Sequence, residues 1–220
     1  MSVNSQSYKS LLENLSKKHI TLVAVSKTKP VEDIFELYTL GQRDFGENYV
    51  QELVEKQQQL PADIRWHYIG HLQSNKVKYI APFVHLIHGV DSYKLLTEIN
   101  KQAQKNDRII QCLLQVHIAK EETKFGLDQD ELSTTINQVI KSQDQLNHVE
   151  VKGLMGMASF TSDMEKVRTE FKFLRSLFDK YFSTPSTSHI LSMGMSSDYQ
   201  IAIEEGSNMV RIGSLLFGSR

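Results

Sequence analysis

The stretch Thr21-Leu22-Val23-Ala24-Val25-Ser26-Lys27-Thr28-Lys29-Pro30 holds an apolar run, Leu22 to Val25, and then turns polar. So short and valine-rich a run reads as a strand buried on both faces, the kind found in parallel sheets. Ser26 and Lys27 stand at its C-terminal end, which in open parallel sheets and (β/α)8 barrels is the end where ligands bind. An amine leaving a buried strand is poorly solvated as a cation. Its pKa falls, and more of it is the free amine that condenses with a carbonyl to a Schiff base. The same position also suits a lysine that is simply the first solvated residue after a strand, so position alone leaves Lys27 with two readings.

Outward from this strand the chain repeats one plan. Pro30 fits a first helical turn, and Val31, Ile34, Phe35 and Tyr38 form an apolar stripe that stops at Gly41. Arg43 to Gly46 is the next strand, with a helix opening at Glu47 and carrying Val50, Leu53 and Val54 as far as Pro61. Trp66 to Gly70 is the third strand, followed by a turn and short helix over His71 to Lys76. Val84 to Val90 is the fourth, and Asp91-Ser92 caps a helix carrying Leu95, Leu96, Ile99 and Ala103. The fifth, Ile109 to Ile118, leads through a long loop, Ala119 to Gly126, to a capping box made by Asp128 and Glu131 and a helix with Leu132, Ile136, Val139 and Ile140. Val149 to Met157 is the sixth. A second box, Ser162 with Glu165, precedes the stripe Met164, Val167, Phe171, Leu174, Phe178 and Tyr181. Two short units close the series: Ile190 to Gly194 with a helix begun by Ser197-x-x-Gln200 and stopped by Gly206, and Met209 to Gly213 with Ser214 to Phe217.

Alternating strands and helices argue an α/β fold with a parallel sheet, and eight units argue closure into a (β/α)8 TIM-type barrel. With no linker and no shift in composition, residues 1–220 are expected to form a single domain. The eighth unit has almost no helix, so a helix over Val3 to Lys18, with Tyr8, Leu11, Leu12 and Leu15 on one face, is expected to cover the wall where strands eight and one meet. An open doubly wound sheet is the alternative.

Composition narrows the function classes. Lys and Arg total 25 against 26 Asp and Glu, a formal net charge of -1, so no general electrostatic pull toward nucleic acid or an anionic membrane is expected. The lone cysteine, Cys112, has no intramolecular partner and fits a reducing, cytoplasmic setting. The polar N-terminus lacks the apolar core of a secretory signal, and no apolar run approaches the roughly 20 residues that cross a bilayer.

A barrel would gather Ser26 and Lys27, Gly46 to Asn48, Gly70 and His71, His117, Met155 to Met157, Ser192 to Ser197 and Arg211 to Ser214 at one end. Ser192-Met193-Gly194-Met195-Ser196-Ser197 and Arg211-Ile212-Gly213-Ser214 place hydroxyls and glycines at helix starts, where N–H groups and the dipole favour an anion. They belong to the seventh and eighth units, where barrels frequently hold phosphate. Ordinary serine caps would look the same taken singly. His67-x-x-x-His71 has a metal-ligand spacing, but Gly70 and a strand-like pattern spoil a shared helical face, so no metal is expected. His85 and His88 read as hydrogen-bonded core or rim residues, and mid-strand Cys112 as an inert thiol. Neither a G-x-G-x-x-G after a strand nor a Walker A sequence occurs.

At Ala24 to Pro30, Phe45 to Glu52, His67 to Lys76, Lys152 to Met155, Leu191 to Ser196 and Met209 to Gly213 the chain resembles the YggS/PROSC family of pyridoxal-phosphate homeostasis proteins. The resemblance implies the barrel fold of alanine racemases without their second domain, and pyridoxal 5'-phosphate as cofactor. It also implies Lys27 as the aldimine-forming lysine, Asn48 near the ring, Ser192, Ser196, Gly213 and Ser214 around the phosphate, and Arg211 facing the pyridine nitrogen. One departure is Gly156, where family members often carry a larger side chain, which bears on local packing. A permanent cation beside that nitrogen disfavours its protonation and weakens the ring as an electron sink. The implied role is therefore a non-catalytic, monomeric carrier or buffer in vitamin B6 homeostasis that hands the cofactor to apoenzymes, with no catalytic residue. A small amino-acid racemase is the alternative, with His71 and His117 as unplaced acid/base groups. A Schiff-base aldolase acting on a sugar phosphate is a third reading.

Overall fold

The computed structural model describes residues 3–119, 125–182 and 189–218. Eight parallel strands close into a barrel in sequential order: β1 (Thr21–Val25), β2 (Asp44–Glu47), β3 (Arg65–Tyr68), β4 (Leu86–Val90), β5 (Ile110–Val116), β6 (Val149–Gly156), β7 (Ile190–Ser192) and β8 (Met209–Ile212). The seam is made by β1 and β8, where Val23 pairs with Arg211. Closure rules out the open sheet.

The outer ring is α1 (Ser5–Ser16), α2 (Val31–Thr39), α3 (Val50–Gln59), α4 (Val77–Ile80), α5 (Tyr93–Lys105), α6 (Gln129–Lys141), α7 (Met164–Tyr181), α8 (Tyr199–Glu204) and α9 (Ser214–Phe217). As expected from its stripe, α1 buries Tyr8, Leu11 and Leu15 and packs on β1 and α9. Asn4 N also donates to Leu216 O at 2.8 Å, tying the chain's start to the last helix. The expected caps at Ser92 and at the Asp128/Glu131 box are present.

Four local expectations are corrected. Glu47 does not open a helix: it ends β2, pairs with Tyr68 and is wholly buried, and α3 starts at Val50. The cap of α7 is Asp163, whose side chain accepts from Lys166 N, in place of the Ser162 box. Ser197 does not begin α8. Asp198 precedes that helix and turns its carboxylate back on Met195 N at 2.6 Å. The expected strands overran at several ends, because Ile69, Gly70, Met193 and Gly213 leave the sheet to form the loops above the barrel. Most of the loop Ala119 to Gly126 lies outside the described residues.

Two separate apolar clusters follow from strand alternation. A large one lies between sheet and helices, and a small one, Val23, Leu86, Leu113, Met155 and Met209, fills part of the barrel interior. Cys112 is buried, and burial pushes its thiol up, as an inert core cysteine requires. At Gly156 an added Cβ would lie 2.6 Å from Leu174 Cδ2 and 3.0 Å from Ile118 Cδ1, so these two residues already fill the space a larger side chain would take. No helix among the described residues is long and apolar enough to cross a membrane.

Candidate functional site

β1 delivers half-buried Lys27 to the C-terminal mouth of the barrel, and the backbone on both sides of it is tied down. Lys29 N donates to Ser26 O at 3.0 Å, Thr28 N to Glu52 Oε1 at 2.6 Å, and Lys29 Nζ to Phe217 O at 2.9 Å. Thr28 is held at φ 64°, a left-handed conformation that a β-branched residue rarely adopts. Beneath the loop lies a buried ionic cluster. Lys56 Nζ donates to Ser26 O at 2.8 Å, Glu47 Oε1 at 2.7 Å and Glu52 Oε1 at 2.6 Å, and Ser26 Oγ donates to Glu47 Oε1 at 2.6 Å. Glu47 Oε2 has no hydrogen-bond partner among the described residues. Burial raises the Glu47 pKa, opposed by the Lys56 charge.

β8 places Arg211 inside the barrel at 4% exposure. Its Nη1 donates to Ser192 O at 2.9 Å and Ser192 Oγ at 2.6 Å, and its Nη2 to Gly156 O at 3.0 Å. Burial pulls its pKa down to about 10, which Asp198 opposes, so it stays a cation at neutral pH. Asn48 is steadied by the Tyr68 hydroxyl, which donates to Asn48 O at 3.0 Å and whose pKa burial pushes up to about 12.

Lys27, Asn48, Ser196, Arg211, Gly213 and Ser214 all line one cavity of about 640 Å³, within the usual size of a small-molecule site. Ser192 does not. It is fully buried beneath the cavity, where it supports Arg211. The two serine/glycine loops are joined by Gly213 N donating to Ser196 Oγ at 3.2 Å. Gly194, at φ 97°, takes a conformation glycine suits, and a Cβ there would lie 2.6 Å from Ala202 Cβ. Helices α8 and α9 are only six and four residues long, so the helix-dipole contribution expected for an anion shrinks and individual hydroxyls and N–H groups are left as the donors on offer.

His71 is in the cavity wall, 3.1 Å from Asp91 Oδ2 and stacked on Phe125 at 4.0 Å, whereas His117 does not line the cavity. His67 is buried, bonded to Asp44 and His88, so it shares no ligand geometry with His71. Met157, expected at this end, lines the cavity, whereas sequence reasoning missed the Glu47/Lys56/Glu52 cluster, Gln115 and the rest of the apolar rim, Phe125 and Phe160. A usable signal existed for Gln115, a polar residue in an apolar strand, whose Nε2 donates to Phe125 O at 2.7 Å.

The family model for the alanine racemase N-terminal domain matches residues 4–220. A pyridoxal phosphate homeostasis protein of Aquifex aeolicus is 42% identical over 211 residues, covering 94% of this chain and 89% of the relative. The chain belongs to the family of pyridoxal phosphate homeostasis proteins. The human member is 40% identical over 90% of this chain and 76% of its own length. PipY of Synechococcus elongatus PCC7942, solved with pyridoxal phosphate bound, superposes with a TM-score of 0.84 at 35% identity, covering 97% of this chain and 99% of PipY. An alanine racemase of Clostridium difficile 630 shares the fold at TM-score 0.76 and 16% identity, this chain covering 58% of it.

Proposed function

We propose that this protein binds pyridoxal 5'-phosphate as a Schiff base on Lys27 and stores or delivers it without strong catalysis of its own. The observation that carries the reading is the gathering of a strand-end amine, a buried arginine and a hydroxyl-bearing loop pair in the walls of one cavity. This chemistry fits the group. Lys27 offers an amine to an aldehyde, Ser196 and Ser214 with the Gly213 loop offer donors to a phosphate, and Arg211 offers a cation to a pyridine nitrogen. Asn48, the apolar rim and stacked Phe125 flank the ring space. The bound cofactor would supply an electrophilic carbon and a ring able to draw electron density.

Arg211 sets the limit on catalysis. With its donors on Ser192 and Gly156 and its charge retained at neutral pH, it disfavours a proton on a ring nitrogen beside it. A racemase also needs a positioned acid on each face of its substrate. His71 is engaged with Asp91 and stacked on Phe125, which leaves Lys27 as the evident proton-transfer group. Release to apoenzymes from a monomer belongs to the same proposal.

Borohydride reduction of the cofactor-loaded protein followed by peptide mapping tests it. The label is expected on Lys27, and label on Lys29, Lys76 or Lys124, the last outside the described residues, would overturn the assignment. Amino-acid racemisation well above that of free cofactor would overturn the non-catalytic reading.

A further inference from the structure

The barrel interior holds a continuous polar rod. Arg211 Nη1 lies 2.6 Å from Ser192 Oγ, Ser192 Oγ 3.2 Å from His88 Nδ1, His88 Nε2 2.9 Å from His67 Nδ1, and His67 Nε2 3.0 Å from Asp44 Oδ1. All five are at most 8% exposed, and Asp44, His67 and Met209 line a second cavity of about 600 Å³ that includes none of Lys27, Asn48 or Arg211. The rod therefore runs from one end of the barrel to the other.

Chemistry orients its hydrogens. Arginine only donates and an ionised carboxylate only accepts. Burial would raise the Asp44 pKa, but hydrogen bonds from Arg65 and His67 outweigh it and hold the carboxyl well below the usual range. Burial, with the nearby Arg211 charge, keeps His88 neutral. With a neutral His67, Nε2 donates to Asp44 and Nδ1 accepts from His88 Nε2. His88 accepts at Nδ1 from the Ser192 hydroxyl, which accepts from Arg211. Every link points the same way, and a single reversed tautomer would set two donors or two acceptors against each other.

We propose that His88, His67 and Asp44 are positioning residues for Arg211, acting through Ser192 to fix its guanidinium and so couple the far mouth of the barrel to the cofactor site. Arg211 must lie against a ring at fixed distance to act on it, and Ser192 can brace it only while its own hydrogen is engaged by His88. The alternative for this end, a cation held by Asp44, His67 and His85, is opposed by the Arg65 ion pair on Asp44. The coupling rests on the proposed cofactor reading, whereas the orientation of the rod does not.

Two measurements decide it. Histidine side-chain 15N spectra of the unliganded protein should show both His67 and His88 as neutral Nε2–H tautomers. An Nδ1–H tautomer or an imidazolium at either would overturn the rod. With pyridoxal phosphate loaded, His67→Phe should weaken retention about two- to tenfold, the effect of one buried hydrogen bond, and shift the visible absorption band. His85→Phe, whose ring lies 5.4 Å from that of His67 but outside the rod, should change neither. Equal effects from the two variants, or no effect from His67→Phe, would overturn the coupling. Failure of the wild type to take up the cofactor would overturn the coupling together with the cofactor reading, and the 15N spectra would still decide the orientation of the rod. Should His67→Phe not fold, His88→Phe, which removes both ring nitrogens between Ser192 and His67, takes its place with the same two outcomes.

Discussion

Replacing Lys56 by methionine tests whether the buried ionic cluster holds the Lys27 loop. The side chain is 6% exposed and its amine is the counter-charge of fully buried Glu47, besides donating to Ser26 O. Methionine keeps the length and removes the charge, so Glu47 is left ionised, buried and beside Glu52. Breaking a buried pair from one side costs about 3 to 5 kcal/mol, a large share of the roughly 5 to 15 kcal/mol of a typical domain. The sign of the pH dependence is fixed. Glu47 has its pKa raised by burial in the fold, and a raised carboxyl gives stability that is complete below its unfolded value, near about 4.3, and fades as pH rises through the folded value. Without Lys56 the folded value rises further. The deficit of the variant should therefore be largest at neutral pH and shrink as acid neutralises Glu47. Urea unfolding of both proteins at about pH 7.5 and about pH 5 measures it. A loss under about 1 kcal/mol at the higher pH, or equal losses at both, would refute the reasoning.

Ser196→Ala combined with Ser214→Ala should leave Lys27 reactive but cost about 1.5 to 3 kcal/mol per charged hydrogen bond lost, seen as cofactor lost on dialysis; unchanged retention would make these serines mere caps. Arg211→Gln should raise α-deuterium exchange of added amino acid above wild type at matched occupancy, measured by NMR. Glutamine keeps a donor for Ser192 O and Gly156 O, where a glutamate would face two carbonyl oxygens. Gly194→Ala should destabilise by about 1 to 3 kcal/mol through its positive φ and the Ala202 contact, lowering the thermal midpoint.

The barrel was legible because each strand is short, branched and separated by a helical stripe, and the count of units dictates closure. Strand ends were less legible, since Glu47 reads as the opening of a helix until Lys56, nine residues on, is seen to close over it. Lys27, Ser196 and Ser214 could be placed because they follow strands in sequence, and Arg211 because it lies in the last strand. The neighbours that hold them could not. Ser192 looks like a phosphate ligand and serves instead as the brace of Arg211, a difference set by which way one strand-end residue faces. His88 reads from its apolar strand as a hydrogen-bonded core or rim residue, but its partners and those of His67 carry no local signal, because they come from neighbouring strands and from β7 across the barrel.

The anchoring of the backbone around Lys27 has a consequence in time. Ser26 and Thr28 are pinned to α3 and its ionic cluster, and Lys29 to the end of α9, so neither side of the lysine needs to rearrange for its amine to move. Reorientation is left to side-chain torsions, which turn over in picoseconds to nanoseconds. Loading and unloading would then be paced by bond making and hydrolysis at the amine, and their rates should be indifferent to solvent viscosity, unlike those of a protein that must open a loop first.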